Sequence, residues 1–543
     1  MDFYLHQIGY SHLSRNYNTI QGLKNGQFPP EIVSNFCNGF GYSWNLFYPP
    51  LSTYVAAIFR LIVPTYVGAM KLSIVVAFLV SGIAMFQFVR KVTKNSNIGL
   101  ISAILYMTAN YLITDVYERM AMGEVFAYMF LPILFHGLYN IFYDKGKRDY
   151  LLAIGACGIL LSHNISTLMV VGISILFVLF NGKKLIQKET RKQIWKHLVI
   201  NAIFIILIVL FFYVPFMEQQ MATEYVAMQE GGMATKEFVS SHALYLYQLV
   251  FGKFENGGSY ALDQGIDNEM FLSIGFPILV PLLFTPVVIK KISQEKRPLY
   301  WFVLILGILT SLMATTIFPW SKMPNIILLI QFPWRMLMLS TFLLSIIAGI
   351  NIGKCIENLT MEKLLVVVLV VLMYSGQYIS YVTQFDINFD ESYLGKTEKI
   401  EELAGGNKYC SSFEYLPVKA KTEYTKNRED GVIIISGNAK IESEKKENND
   451  MTFEVKEVQE ETKLELPYIY YLGYQITFKG ETIEYEESEH GFIQISIPKE
   501  QEGEVKISYE GTLLSKIATT ISIIGAIGLV IYIFREEKVK KEN

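Results

Sequence analysis

The segment YERMAMGE (117–124) decides how this chain is organised, because it places charges between two long apolar runs. The runs cover 97–114 and 125–143, and each approaches the roughly 20 residues that a helix needs to cross a bilayer core of about 30 Å. Arg119 and Glu124 are among the charges of the segment. The pattern predicts a charged connection between two membrane-spanning helices. Its side of the membrane and its role follow from the rest of the chain.

The overall composition favours a membrane protein. The 543 residues are 52% hydrophobic and only 18% charged, and their mean hydropathy is +0.31. Soluble proteins of this length are less apolar, so we predict a polytopic α-helical membrane protein. The formal net charge of -3 gives no reason to expect a nucleic-acid partner.

Apolar runs recur along the chain, and together they predict about 11 transmembrane helices. They lie near 69–89, 97–114, 125–143, 149–163, 164–181, 197–217, 270–289, 299–318, 335–353, 364–382 and 513–534. The fourth and fifth runs meet at the sequence SHN, and a single kinked helix is the alternative there.

Lysine and arginine cluster in every second connection between these runs. Because positively charged connections stay on the cytoplasmic side, the alternation predicts a multi-pass membrane protein whose chain begins outside. The outer connections are then 1–68, 115–124, 163–164, 218–269, 319–334 and 383–512. In this topology 47–62 is an interfacial helix, and a further span is expected ahead of Met1.

Residues 383–512 differ in character from the rest of the chain. They are rich in Lys and Glu, and apolar residues alternate with polar ones in MTFEVKEV (451–458) and FIQISIP (492–498). Period-two alternation between short turns predicts an extracellular all-β sandwich. The predicted domains are a first outer loop with interfacial helices (1–68), a multi-span domain (69–382), the β sandwich (383–512) and a C-terminal anchor with a basic tail (513–543).

Polar residues at the predicted outer face are the candidates for a site, because ionisable groups near lipid are costly and tend to face cavities. They are Asp2, His12, Arg15, Arg119, Glu124, His163, Asn164, Trp334 and Arg335. Each has a structural explanation as well. Glu124 can stabilise the start of its helix, Arg335 can reach lipid headgroups, and His163 can mark a break between helices. Arg119 can end a helix among the headgroups, and Asp2 lies close to the chain start.

Motifs of soluble nucleotide or metal enzymes do not occur in the sequence. It contains neither GxxxxGK[ST] nor HExxH nor GxSxG, and no GxGxxG opens a helix after a strand. We therefore predict no cofactor, and the sequence indicates no metal site but leaves a need for a divalent metal open. Any substrate is expected to come from the membrane.

Several blocks in order resemble a bacterial membrane family named after 6-pyruvoyl-tetrahydropterin synthase. The blocks are SHLSRNYNTIQGLKNGQFP (11–29), NGFGYSWNLFYPPL (38–51), YERMAMGE (117–124), LSHNIS (161–166), IQFPWRML (330–337) and FEYLPVK (413–419). In addition, LPYIYYLGYQITFKG (466–480) resembles a strand pair of the YfhO-like proteins. Together they resemble the GT-C glycosyltransferase superfamily over nearly the whole chain.

The resemblance implies a glycosyltransferase that uses a polyprenyl-phosphate sugar and modifies a cell-envelope glycan or polymer. Two acidic residues flank such a site, one in each of the first two outer loops. In the second loop, Arg119 and Glu124 match the family pattern and imply a phosphate ligand and a general base. In the first loop, Ile8 stands where relatives have Asp, and Asp2 is the acid with the corresponding spacing to a histidine.

Two other functions remain open from the sequence. A catalytically inactive scaffold for envelope assembly is favoured by the residue at position 8. A lipid or glycan transporter would need charges at mid-membrane and paired broken helices. The charges here favour one leaflet instead.

Overall fold

The computed structural model describes residues 7–32, 34, 36–229, 233–251, 271–356, 360–383 and 413–542. The apolar run before the charged connection folds as two helices, Ser96–Met107 and Asn110–Tyr117, which are bent by 40° relative to each other. The run after it folds as a single helix, Met122–Tyr143. The connection between these helices, 118–121, lies within YERMAMGE as the sequence predicts, and the ends of the segment belong to the two helices.

The α-helices are numbered here in chain order. They are α1 Gln7–Lys24, α2 Trp44–Phe47, α3 Leu51–Arg60, α4 Tyr66–Thr93, α5 Ser96–Met107, α6 Asn110–Tyr117, α7 Met122–Tyr143, α8 Leu151–Leu160, α9 Asn164–Phe180, α10 Gly182–Ile186, α11 Arg191–Ala222, α12 Lys236–Ser241, α13 Gln248–Phe251, α14 Phe276–Leu282, α15 Thr285–Val288, α16 Arg297–Met313, α17 Asn325–Leu328, α18 Met336–Cys355, α19 Met361–Thr383, α20 Thr422–Asn427 and α21 Leu513–Glu542. Short 3-10 turns cover Val226–Met228, Ile289–Lys291, Gln294–Lys296, Trp320–Lys322 and Pro333–Arg335.

Within the described ranges, 7 helices are long and apolar enough to cross a membrane, or 8 if α5 and α6 form one bent span. The count of about 11 is not confirmed. Two predicted spans fall on the shorter apolar helices α8 and α9, which SHN separates. A third, 270–289, is divided into α14, α15 and a 3-10 turn. It contains three prolines, and proline removes a backbone donor and clashes with the preceding helical turn.

The basic connections meet at one end of the helix bundle, which we call the basic end. Lys91 at the end of α4 pairs with Asp144 after α7 at 2.5 Å. Arg148 pairs with Glu537 near the end of α21 at 2.7 Å, and Lys296 donates to the carbonyl of Val92 at 3.0 Å. The clusters that the positive-inside rule assigned to one side therefore do lie together.

The C-terminal region forms two antiparallel sheets. The strands are β1 Ile433–Ser436, β2 Lys440–Glu447, β3 Asp450–Lys456, β4 Thr462–Ile469, β5 Tyr474–Phe478, β6 Glu481–Ile483, β7 Glu486–Glu487, β8 Phe492–Ile497 and β9 Gly503–Tyr509. One sheet has the order β1-β4-β8-β7 and the other β2-β3-β9-β5-β6. This β region is confirmed at 433–509, whereas 384–412 of the predicted domain lies outside the described residues.

The segment before α3 packs into the core of the β region. Phe40 contacts the ring of Phe492 edge-on at a centroid distance of 5.3 Å, and its carbonyl accepts from the backbone N–H of Ile469 at 3.0 Å. Glu31 accepts from Tyr509 at 2.5 Å and from Ser515, where α21 begins. The first segment and the β region therefore share one core at the end of the bundle opposite the basic end, which we call the β end.

Helix α3 lies within the predicted interfacial segment 47–62. Its inward face carries the small residues Ser52, Thr53 and Ala56, whereas Ile58 is 62% exposed. Leu61, just beyond its end, is 85% exposed. A helix that exposes its apolar side in this way is suited to contact with lipid.

Candidate functional site

The charged connection 117–124 folds so that its charges point into the protein. Met120 has a positive φ of 51°, and the backbone N–H of Ala121 returns to the carbonyl of Asp115 at 2.9 Å. This sharp reversal sets Arg119 against Glu124, which lies in the first turn of α7. Their side chains are 6% and 1% exposed, respectively. A solvated membrane-edge loop is therefore the wrong description of these two residues.

Glu124 is held between two arginines and a tyrosine. Oε1 accepts from Arg119 Nη2 at 2.9 Å and from Arg335 Nε at 3.0 Å. Oε2 accepts from Arg119 Nη1 at 3.1 Å and from the hydroxyl of Tyr111 at 2.7 Å. An ionised carboxylate offers about four acceptor positions, so its capacity is filled.

A second carboxylate holds Arg119 from the preceding helix. Asp115 lies four residues before Arg119 and pairs with its Nη1, which also donates to Tyr111 at 3.2 Å. Burial would lower the pKa of Arg119, but the charges of Glu124 and Asp115 outweigh that effect and raise it well above its ordinary value. Arg119 is therefore a permanent cation in this site.

Arg335 reaches the cluster from the 3-10 turn that precedes α18. Its Nη1 donates to the carbonyl of Ile330 at 2.9 Å and to the side-chain oxygen of Gln331 at 3.0 Å. Its guanidinium lies 4.9 Å from the ring centroid of Phe332. These contacts fix Arg335 in direction, so that Nε faces Glu124.

A second polar group comes from the first segment. Arg15 is buried, donates to the carbonyls of Tyr48 and Pro49 at 2.8 Å each, and lies 4.3 Å from the ring centroid of Tyr48. Burial lowers the pKa of Arg15 to about 10, so it stays charged at neutral pH. Its Nη1 is buried with no hydrogen-bond partner in the structure. His12 packs edge-on against the same ring at 5.9 Å.

His163 connects the two groups. It caps α9, because its Nδ1 accepts from the backbone N–H of Ser166 at 3.2 Å. The ring lies 6.1 Å from that of Tyr48. A Cβ added at Gly123 would lie 2.4 Å from the Tyr48 hydroxyl and 3.2 Å from His163 Cδ2. Gly123 therefore lets both side chains approach the start of α7, next to Glu124.

Burial keeps the two histidines neutral. It lowers the pKa of His163 to about 3 and, with added repulsion from Arg15 and His163, it lowers the pKa of His12 to about 3. The acceptor role of His163 Nδ1 places the single ring proton on Nε2. The ring can then donate from Nε2 without carrying charge.

The other candidates lie at the margin of this arrangement. Asn164 donates to the carbonyl of Phe47 at 3.4 Å and is half-buried. Trp334 is buried, stacks on Phe332 at 4.4 Å, and its Nε1 has no hydrogen-bond partner in the structure. Asp2 lies outside the described residues, so its role as the first-loop acid stays a prediction.

Three contributors were not singled out as site residues from the sequence. Tyr111 and Asp115 precede Arg119 at intervals of four residues, which is the helical spacing that places them on one face. That spacing could have been used to predict from the sequence that both residues face Arg119. Tyr48 has no comparable local signal, because only the fold brings it to Gly123. Among the described residues, no group of three or more His, Cys, Asp or Glu side chains is arranged to hold a metal ion.

The cluster can bind and orient an anion. Arg119 and Arg335 converge on Glu124, and guanidinium groups match phosphate oxygens in geometry as well as in charge.

The chain is similar in sequence to known proteins. An uncharacterized protein of Lactococcus lactis subsp. cremoris (strain MG1363) is 31% identical over 172 residues, which is 31% of this chain and 28% of that protein. The aligned part therefore spans less than a third of that relative. A sequence model described as a 6-pyruvoyl-tetrahydropterin synthase related domain of a membrane protein matches residues 46–383, well over half of the chain. The protein accordingly belongs to the 6-pyruvoyl-tetrahydropterin synthase-related family of membrane proteins, as the sequence blocks predicted.

Proposed function

We propose that this protein transfers a sugar from a polyprenyl-phosphate donor to a glycan or polymer of the bacterial cell envelope. The reaction takes place at the β end, which in this proposal faces outside, with the β region extracellular. The resemblance to GT-C glycosyltransferases motivates the reaction class.

One observation carries the proposal: Arg119 and Arg335 share a single carboxylate, Glu124. Asp115 offsets one of the two positive charges, and Arg15 adds a third cation near Tyr48. A lipid phosphate that enters this region meets fixed guanidinium donors in a place that excludes water. Such donors stabilise the negative charge that grows on a leaving phosphate.

The donor phosphate also activates Glu124 in this mechanism. With all four acceptor positions occupied, the carboxylate is a poor base. When the donor phosphate takes the Nε–H of Arg335 from Glu124, while Nη1 keeps its bonds to Ile330 and Gln331, Oε1 becomes free to accept a proton. The acceptor hydroxyl then loses its proton to Glu124, its oxygen bonds to the anomeric carbon, and the sugar–phosphate bond breaks. The phosphate leaves on the opposite side, so the anomeric configuration is inverted.

The experiment is a transfer assay on the purified full chain with polyprenyl-phosphate sugars. Glu124→Gln and Arg335→Gln are expected to lower transfer by at least about 100-fold, which is the usual scale for an acid–base or charge-stabilising group. Glu118→Gln is the matched control. This neighbouring carboxylate accepts the backbone N–H of Phe271 at 2.9 Å. Full transfer by Glu124→Gln would remove the base from the mechanism.

A second function is a catalytically inactive scaffold for envelope assembly. The filled hydrogen-bonding capacity of Glu124 favours it, because a closed ion network is also a structural anchor. The scaffold is supported if no polyprenyl-phosphate sugar is consumed while Glu124→Gln still lowers the melting temperature. Measured sugar transfer that depends on Glu124 excludes it.

A further inference from the structure

A large cavity opens at the basic end, away from the cluster around Glu124. Its volume is about 1090 Å³, just above the roughly 300–1,000 Å³ of typical ligand sites. Helices α4, α7, α9, α16 and α18 all contribute to its walls. The reaction proposed above uses none of these lining residues.

The interior of the cavity is apolar and aromatic. Phe135 contacts Phe342 at a ring distance of 5.3 Å, and Phe180 stacks on Phe302 at 4.4 Å. Leu306 completes this wall. An interior of this kind suits a hydrocarbon chain, since burial of each CH₂ group contributes about 0.8 kcal/mol.

The rim of the cavity is basic. It carries six cationic side chains against two carboxylates, and these are Arg90, Lys91, Lys94, Lys291, Lys296 and Lys354 with Asp144 and Glu295. Asp144 is engaged by Lys91 at 2.5 Å. The rim therefore holds an excess of positive charge.

Three rim lysines come from separate elements and repel one another. Lys94 follows α4, Lys296 precedes α16 and Lys354 ends α18. Burial lowers the pKa of Lys296, and the charges of Lys94 and Lys354 lower it further. An arrangement of like charges held around one opening is costly unless an anion is bound there.

The cavity reaches the apolar outer surface of the bundle at Phe180 and Tyr143, which line it and are each 38% exposed. On α9, Leu179 is 66% exposed, and on α16, Ile305 is 60% exposed. Both helices also line the cavity. An amphiphile can thus enter sideways from the membrane while its charged group stays at the rim.

We propose that this cavity binds an anionic membrane phospholipid, with an acyl chain between α9 and α16 and the headgroup phosphate at Lys94, Lys296 and Lys354. Basic pockets between transmembrane helices are suited to such headgroups. The bound lipid joins α4, α16 and α18 at the basic end. This site does not depend on sugar transfer.

The test measures lipid dissociation constants of the delipidated full chain in neutral detergent by native mass spectrometry. Phosphatidylglycerol is expected to bind much more tightly than phosphatidylcholine. Lys94→Gln/Lys296→Gln/Lys354→Gln is expected to weaken phosphatidylglycerol binding by about 100-fold, given about 1 kcal/mol for each lysine near the headgroup. The matched control, Lys188→Gln/Lys192→Gln/Lys196→Gln, removes the same charge from residues that do not line the cavity. It should leave the affinity unchanged.

Further binding measurements, on another variant and with other ligands, identify the ligand. Leu306→Trp, which fills the apolar wall, should weaken phosphatidylglycerol binding while all rim charges remain. Equal melting temperatures of the lipid-free variants and the wild type show that folding is intact. The proposal is overturned if the triple rim variant keeps its affinity, if phosphatidylcholine binds equally well, or if glycerol phosphate alone binds as tightly. Preferential binding of polyprenyl phosphate would also overturn it, because the cavity would then belong to the donor lipid.

Discussion

Arg335 Nε donates to Glu124 Oε1 at 3.0 Å, although 211 residues of chain separate the two side chains. The bond joins the start of α18 to the start of α7. Arg119, in the connection before α7, donates from Nη2 to the same oxygen of Glu124 at 2.9 Å. The site is therefore an ion network that also fastens two helices.

Removal of one partner from this network should destabilise the fold. For Arg335→Gln we expect the free energy of unfolding to fall by about 3–5 kcal/mol, because a buried carboxylate loses a charged donor. Arg335→Lys keeps the charge but cannot reproduce the separate contacts of Nε and Nη1 with Glu124 and Ile330. Thermal unfolding in detergent measures both variants. If Arg335→Gln melts like the wild type, Glu124 and Arg335 do not fasten the helices.

Gly123 should tolerate no side chain. An added Cβ would lie 2.4 Å from the Tyr48 hydroxyl and 2.8 Å from the carbonyl oxygen of Ser162. We expect Gly123→Ala to lower the melting temperature. The free energy of unfolding should fall by about 1–3 kcal/mol, as in other overpacked sites. The double variant with Tyr48→Phe should recover part of this loss, because the nearer atom is gone. If the stability changes of Gly123→Ala and Tyr48→Phe simply add in the double variant, Tyr48 does not approach Gly123.

Acid should weaken the first segment through His12. Its pKa is about 3 in the folded protein and about 6.5 when unfolded, so the unfolded chain binds more protons between these values. Stability then falls as the pH drops below about 6.5, by about 1.4 kcal/mol per pH unit. The melting temperature of the wild type, measured from pH 7 to pH 5, should fall more steeply than that of His12→Gln. Parallel curves for the two proteins would contradict a buried neutral His12.

The β region should depend on the first segment. Phe40 is 1% exposed, and Arg428 lies 5.2 Å from its ring centroid. We expect Phe40→Ala to cost about 3–5 kcal/mol, the usual range for a buried phenylalanine. Limited proteolysis tests this dependence, and the quantity measured is the rate of cleavage within 413–512, which should rise in Phe40→Ala. Phe28→Ala is the control, since that ring is 67% exposed and should leave the cleavage rate unchanged.

The sequence by itself determined the membrane character, the β region and the common side of the basic connections. These follow from local quantities, namely hydropathy over a window, period-two alternation and charge along the chain. The number of spans that these quantities predict is not confirmed. The proline-containing run 270–289, for example, has the hydropathy of a span but folds as α14, α15 and a 3-10 turn.

The order of motifs along the sequence also predicted that Arg119, Glu124 and Arg335 belong to the site. It did not predict the hydrogen bonds and ion pairs between them. Only the tertiary structure decided that Glu124 is enclosed by both arginines, and that the Tyr48 hydroxyl lies against Gly123, the residue before Glu124. Hydrogen bonds and close approaches between distant segments depend on helix packing, which a linear pattern does not encode. For this reason the sequence indicated where the charges lie, whereas the fold showed that they form one closed network.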